Sequence, residues 1–131
     1  FTVTATCGSG TITIDTNYDQ ASYVKIGKMV HIQGYIAISA VSSPSGQLSL
    51  TLPFTTSSTG MPELSDYCTF SSQIRDAGTN IAGDTYGIST PNTALMRYVG
   101  GGGQTAHNDS LAGSIDAASS FWLGGSYRAD T

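Results

Sequence analysis

The residues most able to do chemistry lie close together in one stretch, His107-Asn108-Asp109-Ser110. A hydrolase of the serine type needs a nucleophile, a base and an orienting acid, and this run contains one of each. Adjacent residues do not take up triad geometry, however, and no G-x-S-x-G elbow occurs anywhere in the chain. The other histidine, His31, lies between Val30 and Ile32 and reads as a cross-strand packing partner. Glycoside hydrolysis would need two carboxylates held about 5 to 10 Å apart across a cleft. The nine acids, among them Asp15, Asp19, Glu63, Asp76 and Asp116, sit almost entirely where turns are expected. Capping of those turns accounts for them.

Metal and phosphate chemistry fare no better. Asp15-x-Asn17-x-Asp19 opens like a calcium loop, but Gln20 stands where the glycine belongs and Ile26 where a bidentate glutamate belongs. No His/Cys spacing suits zinc. Gly100 to Gly103 lacks the following Lys-Ser/Thr of a phosphate loop. No metal, no cofactor and no enzymatic activity are expected.

Sugar recognition is the functional option the residue types favour. Aromatic faces against sugar CH groups, with amides bonding hydroxyls, suit a shallow polar site. Tyr86, Tyr98, Gln104, His107, Asn108 and Trp122 are candidates, with Asp84 and Asn92 of the same chemical type. The loop from Gly100 to Ser110 is the preferred location, because polar loops on rigid β scaffolds commonly carry recognition. Trp122 has two readings. If Phe121 and Leu123 face the core, alternation sends Trp122 outward to a ligand or a neighbouring subunit; otherwise it is buried between sheets or at a subunit contact.

These residues need strands to hold them. The segment from Met29 alternates Val30, Ile32, Gly34, Ile36, Ile38 and Ala40 with a mixed face of Met29, His31, Gln33, Tyr35, Ala37 and Ser39. That period of two predicts a long strand with one buried face, about 40 Å from Met29 to Val41, with a bend or bulge expected at Gly34. Ser43-Pro44-Ser45-Gly46 then predicts a chain reversal into Leu48, Leu50 and Leu52, making a long hairpin. Before it, Phe1 to Thr6, Thr11 to Ile14 and Tyr23 to Ile26 read as strands, with Gly8-Ser9-Gly10 as a turn and Asp15 to Asp19 as a break. After the polar loop beginning at Thr55, strands are expected over Tyr67 to Ile74, Asn80 to Ser89, Ala94 to Val99 and Ser120 to Arg128. Leu111 to Ala118 is a strand end or one helical turn. No segment keeps a helical period, so residues 1–131 are expected to form a single all-β domain, an antiparallel sandwich of jelly-roll type.

Composition narrows the partners. With five basic and nine acidic residues and a net charge of −4, the chain is a poor nucleic-acid ligand. No apolar run reaches the roughly 20 residues that a membrane helix needs. Cys7 and Cys68 fit either a disulfide or two buried thiols. Met29, Tyr35 and Val41 are candidates for a subunit interface or for covering a second sheet.

The order of motifs carries a resemblance. Y-V-K-I-G-K-M-V-H-I-Q-G-Y-I at Tyr23 to Ile36, S-P-S-G-Q-L-S-L-T-L-P-F at Ser43 to Phe54 and the closing G-G-S-Y-R-A-D-T at Gly124 to Thr131 resemble the C-terminal domain of bacteriophage tail fibres and tailspikes. The likeness covers most of the first half and the last dozen residues; Thr55 to Ala118 matches nothing in it. It implies a homotrimeric virion module, made in the bacterial host cytoplasm as part of a longer protein. It also implies attachment to host-surface polysaccharide, or a structural trimerisation cap or decoration domain with no receptor binding.

Overall fold

The computed structural model describes residues 1–55, 69–76, 79–88, 93–99, 107–108 and 111–129, with side chains described for 1–55, Arg75 and 112–129. Eight strands follow in order: β1 (Ala5–Ile14), β2 (Ala21–Ile26), β3 (Met29–Thr51), β4 (Thr69–Asp76), β5 (Thr79–Ile88), β6 (Thr93–Val99), β7 (His107–Asn108) and β8 (Ser120–Arg128). A 3-10 turn at Leu111–Ser114 precedes β8, the second of the two forms expected for that stretch. Every pairing is antiparallel. The all-β expectation holds.

The strand β3 is 23 residues long. Laid straight it would reach roughly 75 Å, whereas a compact chain of this length has a radius of gyration of about 14 Å. It therefore has to bend, and in bending it serves both sides of the structure. Its first half pairs with β2 and with β8. Its second half pairs with β1 and with β6. Between β8 and β6 the sheet continues through β4 and β5. The path from β3 through β8, β4, β5 and β6 thus returns to β3 and closes on itself, leaving β1, β2 and β7 as attachments.

Here the structure departs from the hairpin expectation. Ser43-Pro44-Ser45-Gly46 does not reverse the chain; it lies inside β3, and Gly8-Ser9-Gly10 lies inside β1. The turn-forming residues are used for bulges. Cys7 pairs with Leu48, Ser9 with Ser45 and Thr11 with Ser42, so β3 advances three residues for each two of β1. A further shift falls between Thr13 and Ile14. Each extra residue bends the strand and increases its twist. Ser43 has a φ of 42°, Gly46 of 78° and Gly10 of 77°. Side chains support the kink, with Ser9 Oγ and Ser45 Oγ 2.6 Å apart.

The bulges also break the period of two. Ile36 and Ile38 are buried as expected, but Ala40 is exposed and Val41 packs against the core instead of joining an outer interface. Gly34 is not the bend. It stays in register with Ala21 and Leu123, and its lack of a side chain serves close approach: a Cβ there would lie 2.7 Å from that of Ala21.

Among the described residues, two clusters fill the interior. One gathers Val3, Ile12, Ile36, Ile38, Leu48, Leu50, Ile115 and Phe121; the other gathers Val30, Ile32, Leu52 and Tyr127. The buried Tyr127 hydroxyl donates to the carbonyl of Phe54 at 3.0 Å and accepts from its N–H at 3.1 Å, which ties the exit from β3 to β8. Cys7 is a free, half-buried thiol, donating to the Ser9 carbonyl at 3.1 Å. Cys68 lies outside the described residues.

The bulge at Gly10 gives a direct test. A Cβ there would strike the backbone oxygens of Ser42 and Ser43, on a left-handed backbone. Gly10→Ala is expected to cost about 1 to 3 kcal/mol in urea denaturation. Gly124→Ala, where a Cβ meets nothing within 4 Å, is expected to change stability by less than about 0.5 kcal/mol.

Candidate functional site

The outer side of β2, β3 and β8 is where chemistry can meet solvent. Ile36 pairs with Phe121, and both are fully buried. The period of two therefore sends their neighbours, Tyr35 and Trp122, to the opposite face. They are cross-strand partners, with ring centroids 4.9 Å apart and planes tilted by 51°. A third ring joins from a turn. The Asp15 N–H donates to the Ala37 carbonyl at 2.9 Å, and the Tyr18 N–H to the Asp15 carbonyl at 2.8 Å. Asn17 donates its backbone N–H (2.9 Å) and its side-chain amide (3.0 Å) to Asp15 Oδ1. This Asx turn, rather than a calcium loop, is what the Asp-x-Asn-x-Asp spacing builds, and it places Tyr18 edge-on to Tyr35 at 5.6 Å and 86°. Trp122 keeps 39% of its surface exposed, which excludes the reading that buries it between sheets.

Polar groups continue the face beyond the rings. Gln33 is next along β3, opposite Ser22 and Gly124. His31 stands opposite Ser126, and its Nδ1 shares a 2.6 Å hydrogen bond with the serine Oγ. Among the described residues no carboxylate hydrogen-bonds to this ring, and the pair acts as the cross-strand contact expected of His31. A shallow depression between β2 and β3 is lined by Ser22, Tyr23, Val24, His31, Ile32 and Gln33.

The far end of the face is aliphatic. Val24 is 60% exposed and Ile26 69%, with Met29 opposite Ile26. On the other side of β2, Tyr23 packs edge-on to Phe54 at 5.2 Å, and Lys25 Nζ lies 5.0 Å from the centre of the same ring. All the large exposed hydrophobic side chains among the described residues belong to β2, β3, β8 or the turn carrying Tyr18. A concentration of that kind marks an interaction surface. Among the described residues, no group of three His, Cys, Asp or Glu could hold a metal, and no helix is long and apolar enough to cross a membrane.

The sequence candidates fall in separate places. Tyr98 pairs with Asn108, and His107 with Val99, at the β6–β7 edge. Tyr86 stands on β5 opposite Thr69 and Leu95. Gln104 and the rest of the Gly100–Ala106 stretch lie outside the described residues. Trp122 is three strand spacings from Tyr98, with β4 and β5 between them, about 14 Å along the sheet. Its cross-strand partners are Tyr35 and Gln73. Tyr18 is not among the sequence candidates, and Tyr35 enters there for a subunit interface or for covering a second sheet; no local pattern connects Tyr35 to a tryptophan 87 positions away.

No family model matches the chain, and no curated protein matches its sequence. Among solved structures, the crystal structure of the Dettilon tailspike protein (gp208) superposes with a TM-score of 0.73 at 18% identity, over 98% of this chain and 23% of that one. In fold, the chain is similar to part of a phage tailspike. It spans about a quarter of that protein's length, and at this identity the likeness speaks for the fold alone.

Proposed function

We propose that this chain is a non-enzymatic attachment module of a phage tailspike or fibre, a C-terminal domain that contacts host-surface glycans within a homotrimer. The observation that carries the reading is the trio of touching, solvent-exposed rings, Tyr18, Tyr35 and Trp122. Flat rings with exposed faces take the CH side of a sugar, and the neighbouring Gln33 offers both a donor and an acceptor to hydroxyls. The tailspike fold supplies the setting. A platform on paired strands is also more rigid than one on loops, which lowers the ordering cost of binding.

Glycan-array binding of the chain tests this directly. Trp122→Ala and Tyr35→Ala should each lower affinity about tenfold or more, while Tyr98→Ala and His107→Ala should leave it within about twofold. The reverse pattern would move recognition to the Gly100–Ser110 loop; absence of glycan binding would end the attachment reading.

A structural reading has its own support at the aliphatic end. Val24, Ile26 and Met29 offer no polar group to a sugar, and exposed aliphatic side chains of this size gain about 1.5 to 3 kcal/mol each when fully buried. They suit contact with another subunit. Light scattering is expected to give three chains per particle, and Ile26→Asp to shift the mass to that of one chain. A monomeric parent chain would contradict the trimer.

A further inference from the structure

Beside the three rings lies a basic group that nothing else in the described structure engages. Arg75 pairs with Ser120 on β8, two positions from the Gln73 that pairs with Trp122. It is therefore a diagonal neighbour of Trp122, about 7–8 Å between backbones, a span that long side chains cross. Its side chain is exposed. Among the described residues it has no hydrogen bond, ion pair or ring contact. An exposed arginine with no carboxylate partner among the described residues, next to an aromatic platform, is poised for a planar anion.

The ground between Arg75 and the rings is low. Ala37 pairs with Ser120, and Ser120 with Arg75, so one small residue, Ser120, lies between the backbone of Arg75 and that of Ala37 on β3, two strand spacings or about 10 Å. Ser120 itself is buried. Tyr35 and Trp122 wall one side, and the Asx turn brings Tyr18 to the Ala37 end. The acids of that turn are occupied, Asp15 Oδ1 by Asn17 and Asp19 Oδ1 by the Gln20 amide at 2.9 Å. The other described basic residues lie elsewhere: Lys25 over Phe54, Lys28 in the β2–β3 turn, and Arg128 opposite Met29 at the far end of β8.

We propose that Tyr18, Tyr35, Trp122 and Arg75 form one subsite for a carboxylate-bearing sugar, a hexuronic acid residue of an acidic polysaccharide. The sugar ring lies against Tyr35 and Trp122, and its carboxylate accepts from the Arg75 guanidinium. This rests on the glycan reading above and adds the charge of the ligand to it. The long-range repulsion from a chain of net charge −4 is screened within about 8 Å at physiological salt, whereas a contact with Arg75 is direct.

The single tryptophan makes the site its own reporter, since all tryptophan emission comes from Trp122. The experiment titrates the chain with a panel of hexuronic acid oligosaccharides, each paired with its carboxyl-reduced counterpart, and follows that emission. At least one acidic member should bind about tenfold more tightly than its reduced partner. Arg75→Gln should remove that preference while leaving the weaker neutral binding within twofold, and Arg75→Lys should recover only part of it. Equal response to acidic and reduced sugars, or a preference that survives Arg75→Gln, would overturn the acidic-sugar assignment and leave the aromatic platform standing. Silence from every pair, with glycan binding also absent on the array, would overturn both.

Discussion

The constraint on which the structure depends is that one strand belongs to both sides of the barrel-like wall. β3 is too long to lie straight in a chain this small, and its pairing with β8 at one end and β6 at the other closes the sheet. The bend is made locally, by extra residues opposite β1 and by the positive φ of Ser43, Gly46 and Gly10. The bend brings both reaches of the strand into one cluster, Ile36 and Ile38 with Leu48 and Leu50, while Val30 and Ile32 near its start join Leu52 and Tyr127 in the other. The bulges move the inward position from Ile38 to Val41 and back by Leu48, so that Ile36, Ile38, Leu48 and Leu50 are buried on the same side of a bent strand.

That same geometry sets the outer face. The straight half of β3 keeps strict alternation, so the burial of Ile36 against Phe121 fixes the exposure of Tyr35 beside Trp122. Gly34 lets β2 come close on the other flank. The result is a three-stranded surface graded from rings, through amide and hydroxyl groups, to bare aliphatics. The two ends differ in what they can recognise: faces of aromatic rings tolerate a hydrated, hydroxyl-bearing ligand, whereas Val24 and Ile26 gain only by excluding water. The proposed attachment and the proposed subunit contact thus fall at opposite ends of a single face.

Much of this was legible in the residues. The alternation from Met29 to Ile38 placed the buried face correctly and Asp15 to Asp19 read as a turn, whereas Phe121-Trp122-Leu123 left the direction of the tryptophan between two readings. Ser43-Pro44-Ser45-Gly46 misled, because the same positive-φ chemistry makes a hairpin turn or a bulge, and only the partner strand decides which. Nothing local in Gly8-Ser9-Gly10 announces that it lies opposite that segment. The ring platform was invisible for the same reason: Tyr18, Tyr35 and Trp122 meet only through long-range register. The resemblance noticed in the Tyr23–Ile36, Ser43–Phe54 and Gly124–Thr131 motifs pointed toward the tailspike fold, although its hairpin reading of the second motif did not survive.

The unbroken, bent β3 is the centre of this account, and cross-strand proton contacts in solution report it most directly. Nuclear Overhauser contacts are predicted between Ser9 and Ser45, and between Gly34 and Leu123, in the same folded molecule. Contacts joining residues 37–41 to residues 48–52 across a tight reversal at Ser43–Gly46, with the Ser9–Ser45 contact missing, would contradict it.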